Sequence, residues 1–320
     1  MQIGILGLGS AGIRHFRAFR KLPDISVLCA DPDETRRQRA EAEGGKTVAT
    51  LEGLLSRRPE AVVVAVPHAY LADAALQAMD AGAHILLEKP MATSLEDAIR
   101  VVNRARVLKR WVMVSFVHRF RPDVAAAREL IVRGNIGTPV FLTDAMVSGA
   151  SEMPPWVWDR ARAGGGMMLY NGIHQVDRAR FLLGEEVDTV RAEVRTLTHD
   201  VDTEDTVAAV LGFRSRAVGV VTQHKGSADA LPGWETQVFG TKGSLRIRTG
   251  QELSWVSSGK VTTLAAAPED RFFGAAAEFV AAIRDGRAPS PSGEDGVAAL
   301  EIVLRMYADG ATSRAKKPNP

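Results

Sequence analysis

Residues 1–31 read MQIGILGLGSAGIRHFRAFRKLPDISVLCAD, and the fold of the N-terminal half is decided there. Gln2–Leu6 is a mostly apolar run bounded by glycine, the mark of a parallel strand buried on both faces. Ala11–Lys21 has helical spacing, with Ile13, Phe16 and Phe19 apolar and arginines between them, and Ile25–Ala30 reads as a second strand. Glycines at 7, 9 and 12 join the first strand to the helix. A G-x-G-x-x-G spacing alone is a weak signal, because glycine serves tight turns of every kind. Its context strengthens it here: the motif follows a strand, opens a helix, and is followed nineteen residues after Gly12 by Asp31, at the end of the second strand. In that setting Gly7 permits the tight turn, Gly9 lets the backbone approach a pyrophosphate, and Gly12 lets helix and strand pack closely. Ser10 and Ala11 open the helix whose N-terminus faces the phosphate charge. Asp31 is suited to accept hydrogen bonds from the ribose hydroxyls of NAD and to repel the 2′-phosphate of NADP. Arg36 and Arg37 fall in the next helix and are expected to face solvent, so NAD is the expected cofactor and NADP the less favoured one.

The alternation continues along the chain. Asp33–Glu43 is a strongly charged helix and Thr50–Ser56 opens another. Ala61–Val66 (AVVVAV) is a strand ended by Pro67, and Tyr70–Ala81 is helical and closed by Gly82. His84–Leu87 is a strand followed by Glu88-Lys89-Pro90; Ser94–Lys109 is a helix with Ser94 as its cap; Trp111–Val117 is the next strand. Strands alternating with helices imply an α/β Rossmann domain built on a doubly wound parallel sheet. Ligands bind beyond the carboxyl ends of the strands in such sheets. Gly7–Gly12, Asp31, Pro67-His68, Glu88-Lys89-Pro90 and His118-Arg119 all fall there, so special residues distant in sequence are expected along one edge.

From about Pro139 the pattern changes. Strands are expected at Val140–Val147, Val187–Thr198, Thr206–Phe213, Ala217–His224, Trp234–Gly240, Gly243–Thr249, Glu252–Val256 and Lys260–Leu264, separated by short turns. Helices are expected at Pro122–Arg133, Gly172–Leu183, Arg271–Asp285 and Gly293–Asp309. This is an α+β domain with a large, mainly antiparallel open sheet. One face of it is covered by helices, and residues such as Val218, Val220 and Thr222 line another face for which self-association, as a homodimer or homotetramer, is the economical cover.

A chain of 320 residues exceeds one compact core, so two domains are expected, 1–119 and 120–320, with the C-terminal helix able to pack back on the first. With 40 basic and 38 acidic residues, net +2, there is no field to attract nucleic acid or an anionic membrane. The single cysteine, Cys29, excludes an intrachain disulfide and a thiolate metal cluster and reads as a small core residue. No cationic segment precedes an apolar core at the N-terminus, and the longest uncharged apolar run, Ala61–Ala72, contains a proline and falls short of a membrane span, so a cytoplasmic protein is expected. No H-x-x-x-H, HExxH or carboxylate cluster points to a metal, and His15, His84 and His199 read as structural or solvated.

Four stretches together resemble the Gfo/Idh/MocA family, named for glucose–fructose oxidoreductase and inositol dehydrogenase: GLGSAG at 7–12, EKP at 88–90, HRFRP at 118–122 and GGGMMLYNGIHQVD at 164–177. The closing SGEDGVAALEIVLRMYADG at 292–310 is similar to the family's C-terminal helix. The resemblance implies substrate bound between a nucleotide domain and an open-sheet domain, and oxidation or reduction of a secondary alcohol or ketone on a sugar, cyclitol or related polyol. It implies that Lys89 sits by the reacting oxygen and the nicotinamide, that Pro90 shapes the turn, that His174 transfers the proton or partners the residue that does, and that Asp177 orients the site. Glu88, Lys89 and Pro90 are counted with the cofactor contacts, as are Pro67 and His68. Arg119, His118, Trp156, Asn171 and Asp177 are counted with the substrate contacts.

Hydride transfer to a ketone leaves an alkoxide, which needs a proton or a stabilising charge; lysine and histidine supply both. One position departs from the family pattern. Four residues before the histidine the family usually carries aspartate, and here stands Tyr170. Two readings are open: Tyr170 donates a proton, its pKa lowered by Lys89, or Tyr170 only packs. The Gly164–Gly166 run reads as a hinge rather than an anion-binding nest. Two other functions are compatible with the scaffold: redox-assisted cleavage of a glycosidic bond with NAD recycled, and a non-catalytic nucleotide-sensing regulator.

Overall fold

The computed structural model describes residues 1–149, 153–268 and 270–315. The chain forms two compact units. The first is Met1–Val117 together with Asp270–Ala298; the second takes the chain from His118 and again from Ala299.

The first unit alternates strand and helix: β1 (Gln2–Leu6), α1 (Ser10–Phe19), β2 (Ser26–Ala30), α2 (Glu34–Ala42), β3 (Lys46–Val48), α3 (Leu51–Leu55), β4 (Ala61–Val64), α4 (Leu71–Asp80), β5 (His84–Leu87), α5 (Leu95–Leu108) and β6 (Val112–Val114). The six strands lie in the order β3-β2-β1-β4-β5-β6, every pair parallel. This is the doubly wound sheet, with the reversal of winding beside β1. Ile3, Ile5, Val62–Val64 and Ile85–Leu87 have no exposed surface, which is why these strands read as apolar runs rather than alternating ones. Ser94 accepts from the Asp97 amide at 3.1 Å and caps α5, and Asp33 caps α2 in the same way. Cys29 is buried, and burial pushes its thiol up to about 12. The short edge strand β3 gave no sequence signal: KTV is half polar and three residues long.

The second unit opens with the 3₁₀ turn through His118 and α6 (Pro122–Val132), followed by β7 (Pro139–Ser148), α7 (Arg160–Ala163) and α8 (Ile173–Leu183). Seven strands follow, β8 (Val187–Arg195), β9 (Thr206–Phe213), β10 (Val218–Lys225), β11 (Gly233–Gly240), β12 (Gly243–Arg248), β13 (Glu252–Ser257) and β14 (Lys260–Ala265). The chain then returns to the first unit for α9 (Arg271–Asp285) and the start of α10 (Gly293–Ala315), whose remainder from Ala299 belongs to the second. The eight-stranded sheet runs β14-β13-β12-β11-β7-β10-β9-β8, and only the β7–β10 pair is parallel. Helices α6 and α8 pack against it. Along β10, Gly219, Val221, Gln223 and Lys225 are buried, while Val218, Val220, Thr222 and His224 turn to the less covered face. In the first unit α9 packs on α1, and the opening turns of α10 bring Gly296 against Val114 and Met91. Among the described residues no helix is long and apolar enough to cross a membrane.

Candidate active site

In the first unit the strand register aligns the ends of the strands: Leu6 pairs with Ala30 and Val64, Val64 with Leu87, and Leu87 with Val114. Gly7–Gly12, Asp31, Pro67-His68 and Glu88-Lys89-Pro90 therefore share one edge. The glycines are there for different reasons. Gly7 has φ +89°, and a methyl group on it would lie 2.3 Å from the Ala65 carbonyl oxygen. A methyl on Gly12 would lie 1.8 Å from the Gly7 carbonyl oxygen. A methyl on Gly9 would meet nothing within 4 Å, so the fold itself does not ask for glycine there. Gly9 is also the cap position of α1, and no side chain caps that helix start. An uncapped N-terminus behind an open glycine is the cradle a pyrophosphate requires.

Asp31 is buried and fixed. Its carboxylate accepts from the Leu8 amide at 2.7 Å and the Asp33 amide at 2.9 Å. Of the two arginines expected in solvent, Arg36 is exposed and Arg37 is half-buried, yet both reach back toward Asp31. Arg36 Nη1 lies 3.6 Å from the Asp31 carboxylate, and Arg37 turns back to donate to the carbonyls of Asp31 and Pro32 at 2.8 and 2.9 Å. Both carbonyls lie just past the end of β2, within reach of the guanidinium.

At the end of β5, Glu88 Oε1 accepts from His15 Nε2 at 2.8 Å, and Ser115 Oγ lies 3.3 Å from the same nitrogen. His15 is fully buried on α1, with the Phe272 ring edge-on at 4.9 Å. The His15 contact, Lys89 and Ser115 hold Glu88 below the usual carboxylate range against its burial. Lys89, half-buried, follows across a cis peptide to Pro90. Burial lowers its ammonium pKa, and the neighbouring Glu88 charge opposes the shift. His68 is buried in the turn after Pro67.

In the second unit, α8 buries His174, Gln175, Asp177, Arg178 and Arg180, which a purely structural helix avoids. Asp177 takes a forked ion pair from Arg119, Nη2 to Oδ1 at 2.6 Å and Nε to Oδ2 at 3.0 Å, with Phe181 beneath the guanidinium at 5.1 Å. The His118 ring lies 4.5 Å from that of His174 and 4.5 Å from that of Trp234. Arg178, fully buried, donates to His118 Nδ1 at 3.1 Å, which leaves the His118 proton on Nε2. Arg178 also donates to Thr236 and Thr249 and lies over the Trp234 ring at 3.9 Å. Its counter-charge, Asp144, is 3.9 Å away and accepts from Gln175, Trp234 Nε1 and Thr236, each at 2.7 Å. Burial pushes the Asp144 carboxyl up and the Arg178 guanidinium down.

The residues ahead of α8 form Gly164–Gly166 and a π-wound turn, Met168–Gly172, which holds Tyr170 and Asn171. Trp156, in a short 3₁₀ turn, meets the Tyr170 ring edge-on at 5.9 Å. Four residues apart, Tyr170 and His174 would share a face of a continuous α-helix, but the chain is π-wound at Met168–Gly172 and becomes α-helical only at Ile173. His224 bonds Thr206 Oγ1 at 2.9 Å, and His199 stacks on Trp158 at 5.2 Å.

No sequence pattern had marked His15 as the support of Glu88, or Asp144, Gln175, Arg178 and Trp234 as one buried cluster. Two signals were available: a histidine on the apolar stripe of α1, and an aspartate at an inward position two residues from Leu142. Among the described residues no group of three or more His, Cys, Asp or Glu side chains is arranged to hold a metal ion.

Residues 1–116 match an oxidoreductase family with an NAD-binding Rossmann fold, and residues 124–246 match the GFO/IDH/MocA C-terminal domain. The 1,5-anhydro-D-fructose reductase of Ensifer adhaerens is 30% identical over 310 residues, covering 91% of this chain and 90% of that protein. The myo-inositol 2-dehydrogenase of Thermotoga maritima is 28% identical over 321 residues, covering 94% and 93%. An oxidoreductase from Agrobacterium radiobacter, solved in complex with NAD+, L-tartaric acid and magnesium, superposes with a TM-score of 0.91 over 98% of this chain and 97% of that one. At 19% identity that last likeness is one of fold.

Proposed function

Because the chain belongs to the GFO/IDH/MocA oxidoreductase family, we propose that it is an NAD-dependent dehydrogenase or ketoreductase, interconverting a secondary alcohol and the matching ketone of a sugar, cyclitol or related polyol. The observation that supports this most is Lys89, half-buried with a lowered pKa on the same sheet edge as a glycine turn open at Gly9. The glycine turn, the uncapped start of α1 and the fixed Asp31 fit NAD. When bound, NAD takes up or returns the hydride.

Lys89 hydrogen-bonds the reacting oxygen, and its lowered pKa brings proton exchange closer to neutral pH. Glu88, held by His15, opposes that lowering through its charge. In the second unit the roles of proton-transfer group and proton donor fall to His174 and Tyr170. In the same unit His118, Arg119, Asn171, Trp156 and Asp177 bind the substrate hydroxyls, and in the first Pro67, His68, Glu88 and Pro90 line the nucleotide. Asp31 favours NAD, and Arg36 beside it tempers the exclusion of NADP. The outward face of the eight-stranded sheet joins copies of the chain into a dimer or tetramer.

The test is a screen of cyclitols, 1,5-anhydro sugars and their keto forms with NAD and NADP, following absorbance of the reduced nicotinamide. Turnover of at least one polyol with NAD preferred is the expected result. No turnover of any of them overturns the reading, and equal use of NADP overturns the cofactor preference alone.

A further inference from the structure

We propose that Glu204 and Tyr307 are a positioning pair that fixes the glycine turn and the π-wound start of α8, and so sets where Tyr170 and His174 are presented. The proposal rests on the roles assigned above to those two residues.

A helix start leaves its first amide hydrogens without partners, and Gly164–Gly166 has no side chain to cap them. The partners come from far along the chain. Glu204, just before β9, accepts from the Gly166 amide through Oε2 at 2.6 Å and from the Met168 amide through Oε1 at 3.0 Å. Its main-chain oxygen accepts from the Met167 amide at 3.0 Å. Tyr307, on α10, accepts from the Leu169 amide at 3.1 Å and donates its hydroxyl to Glu204 Oε1 at 2.7 Å. Consecutive amides from 166 to 169 are thus taken by two residues, after which Tyr170 bonds back to the Gly166 carbonyl at 2.8 Å.

The same pair accounts for the glycines. A methyl on Gly165 would lie 2.5 Å from the Tyr307 hydroxyl, and one on Gly166 would lie 2.0 Å from the Glu204 carbonyl oxygen. The run read from sequence as a hinge is closed on an anion after all, and that anion is the chain's own carboxylate. Glu204 is buried at 3% exposure, where a carboxylate is costly to desolvate. Ser, Thr or Asp at the cap position would satisfy a helix end more simply. A buried charge from one segment, locked by a phenol from another, does more: it holds a wide turn to one winding, and such turns recur at functional sites.

The experiment compares Glu204→Gln, Tyr307→Phe and His174→Ala with wild type, using the most active polyol of the screen, with myo-inositol assayed first. Active sites are counted by NADH titration so that turnover is expressed per competent site. Glu204→Gln should lower kcat about 10- to 100-fold and Tyr307→Phe about 10-fold, since an ångström of misplacement costs about that much. NADH affinity should stay at the wild-type value, because the glycine turn at 7–12 belongs to the other unit. Amide exchange at 166–169 should quicken in both variants. Should Glu204→Gln fail to fold, Tyr307→Phe, which removes a single oxygen, decides alone. Turnover per site within about twofold of wild type in folded variants overturns the proposal, even with a lowered Tm, because that is the signature of a purely structural contact. His174→Ala separates the two claims. If it is inactive while the other variants turn over normally, only the positioning pair is wrong; if it keeps full turnover, the assignment of His174 itself is wrong.

Discussion

An alanine methyl at Gly12 would sit 1.8 Å from the Gly7 carbonyl oxygen, inside any allowed contact, whereas one at Gly9 would meet nothing within 4 Å. Substitution therefore separates folding from binding within one motif. Gly9→Ala should leave stability within about 1 kcal/mol of wild type, the ordinary cost of changing a cap residue. It should weaken NADH binding at least about tenfold, because the methyl occupies the pyrophosphate approach. Gly12→Ala should lower Tm in the absence of nucleotide, and thermal melts with and without NADH read both effects. At Lys89 the expectation is chemical. Lys89→Met should lower turnover at least about 100-fold if the amine exchanges the proton. Burial lowers the Lys89 pKa, so the uncharged amine is reached below the ordinary lysine value. The rate of alcohol oxidation should rise with pH through that lowered pKa, and Lys89→Met should lose that limb of the profile. Stability follows the same sign: the folded chain binds fewer protons at Lys89 than the unfolded chain, so this residue's penalty is relieved as pH rises toward its unfolded value of 10.5. These residues were legible because their signal is local. The strand end and glycine turn at 6–12 sit within a few positions of one another, and so do the strand end and the lysine before proline at 87–90. Arg178 and Asp144 were not, because their meaning appears only when a helix and a strand meet, and no spacing encodes that.

At the scale of elements, the buried charges of α8 and β7 form a network whose parts cannot be removed singly. Arg178→Met strands the buried Asp144 carboxylate and should cost about 3–5 kcal/mol by chemical denaturation. Adding Asp144→Leu should return a good part of that loss, since a buried ion pair replaced as a unit is often neutral. A double variant no more stable than Arg178→Met would show that Asp144 has sufficient other partners to stand alone. The loop before β9 depends on one carboxylate. Asp205 accepts from the amides of Leu197, Thr198 and His199 at 2.9, 2.7 and 2.9 Å. Burial pushes its pKa up, but these amides and Thr206 outweigh it and hold the group at about 2, against 3.8 unperturbed. A depressed pKa stabilises the fold fully above the unfolded value and is lost as pH falls through the folded one. Wild type should therefore lose stability between pH 3.8 and about 2 on account of this residue, and Asp205→Asn should lack that share of the acid sensitivity. Long periodic elements such as α5 were readable from their caps and spacing. The edge strand β3 and the π-wound turn were not: the first is too short to show a period, and the second is imposed by Glu204 and Tyr307 from outside its own sequence.

At the scale of the whole molecule, two features lay beyond local reading. Spacing shows a helix at Arg271–Asp285, but only packing on α1 assigns it to the first unit. Alternation shows the strands of the second sheet, but not that β7, the first in sequence, lies between β11 and β10. That order decides what the outward face presents. Val210 pairs with Val220, Val218 with Phe141, and Phe141 with Phe239; Ser244 then leads to Val256 and Val261. An apolar row thus crosses the sheet, with Phe239 at 38% and Val261 at 66% exposure in the isolated chain. A row of this kind rimmed by Arg246, Arg248, Glu235 and Glu252 suits a self-complementary interface, where each copy covers the other's apolar strip and charges of opposite sign meet at the edges. Light scattering should give the wild type twice or four times the chain mass. In a two-fold interface any new charge near the centre is repeated in the partner, so Phe239→Glu sets buried carboxylates close together. It should move the protein toward the single-chain mass at micromolar concentration, while Val132→Glu, at the exposed end of α6, should leave the mass of the assembly unchanged. A wild type that runs as a single chain at all concentrations, or a Phe239→Glu variant whose mass does not fall, would rule out the sheet face as the joining surface.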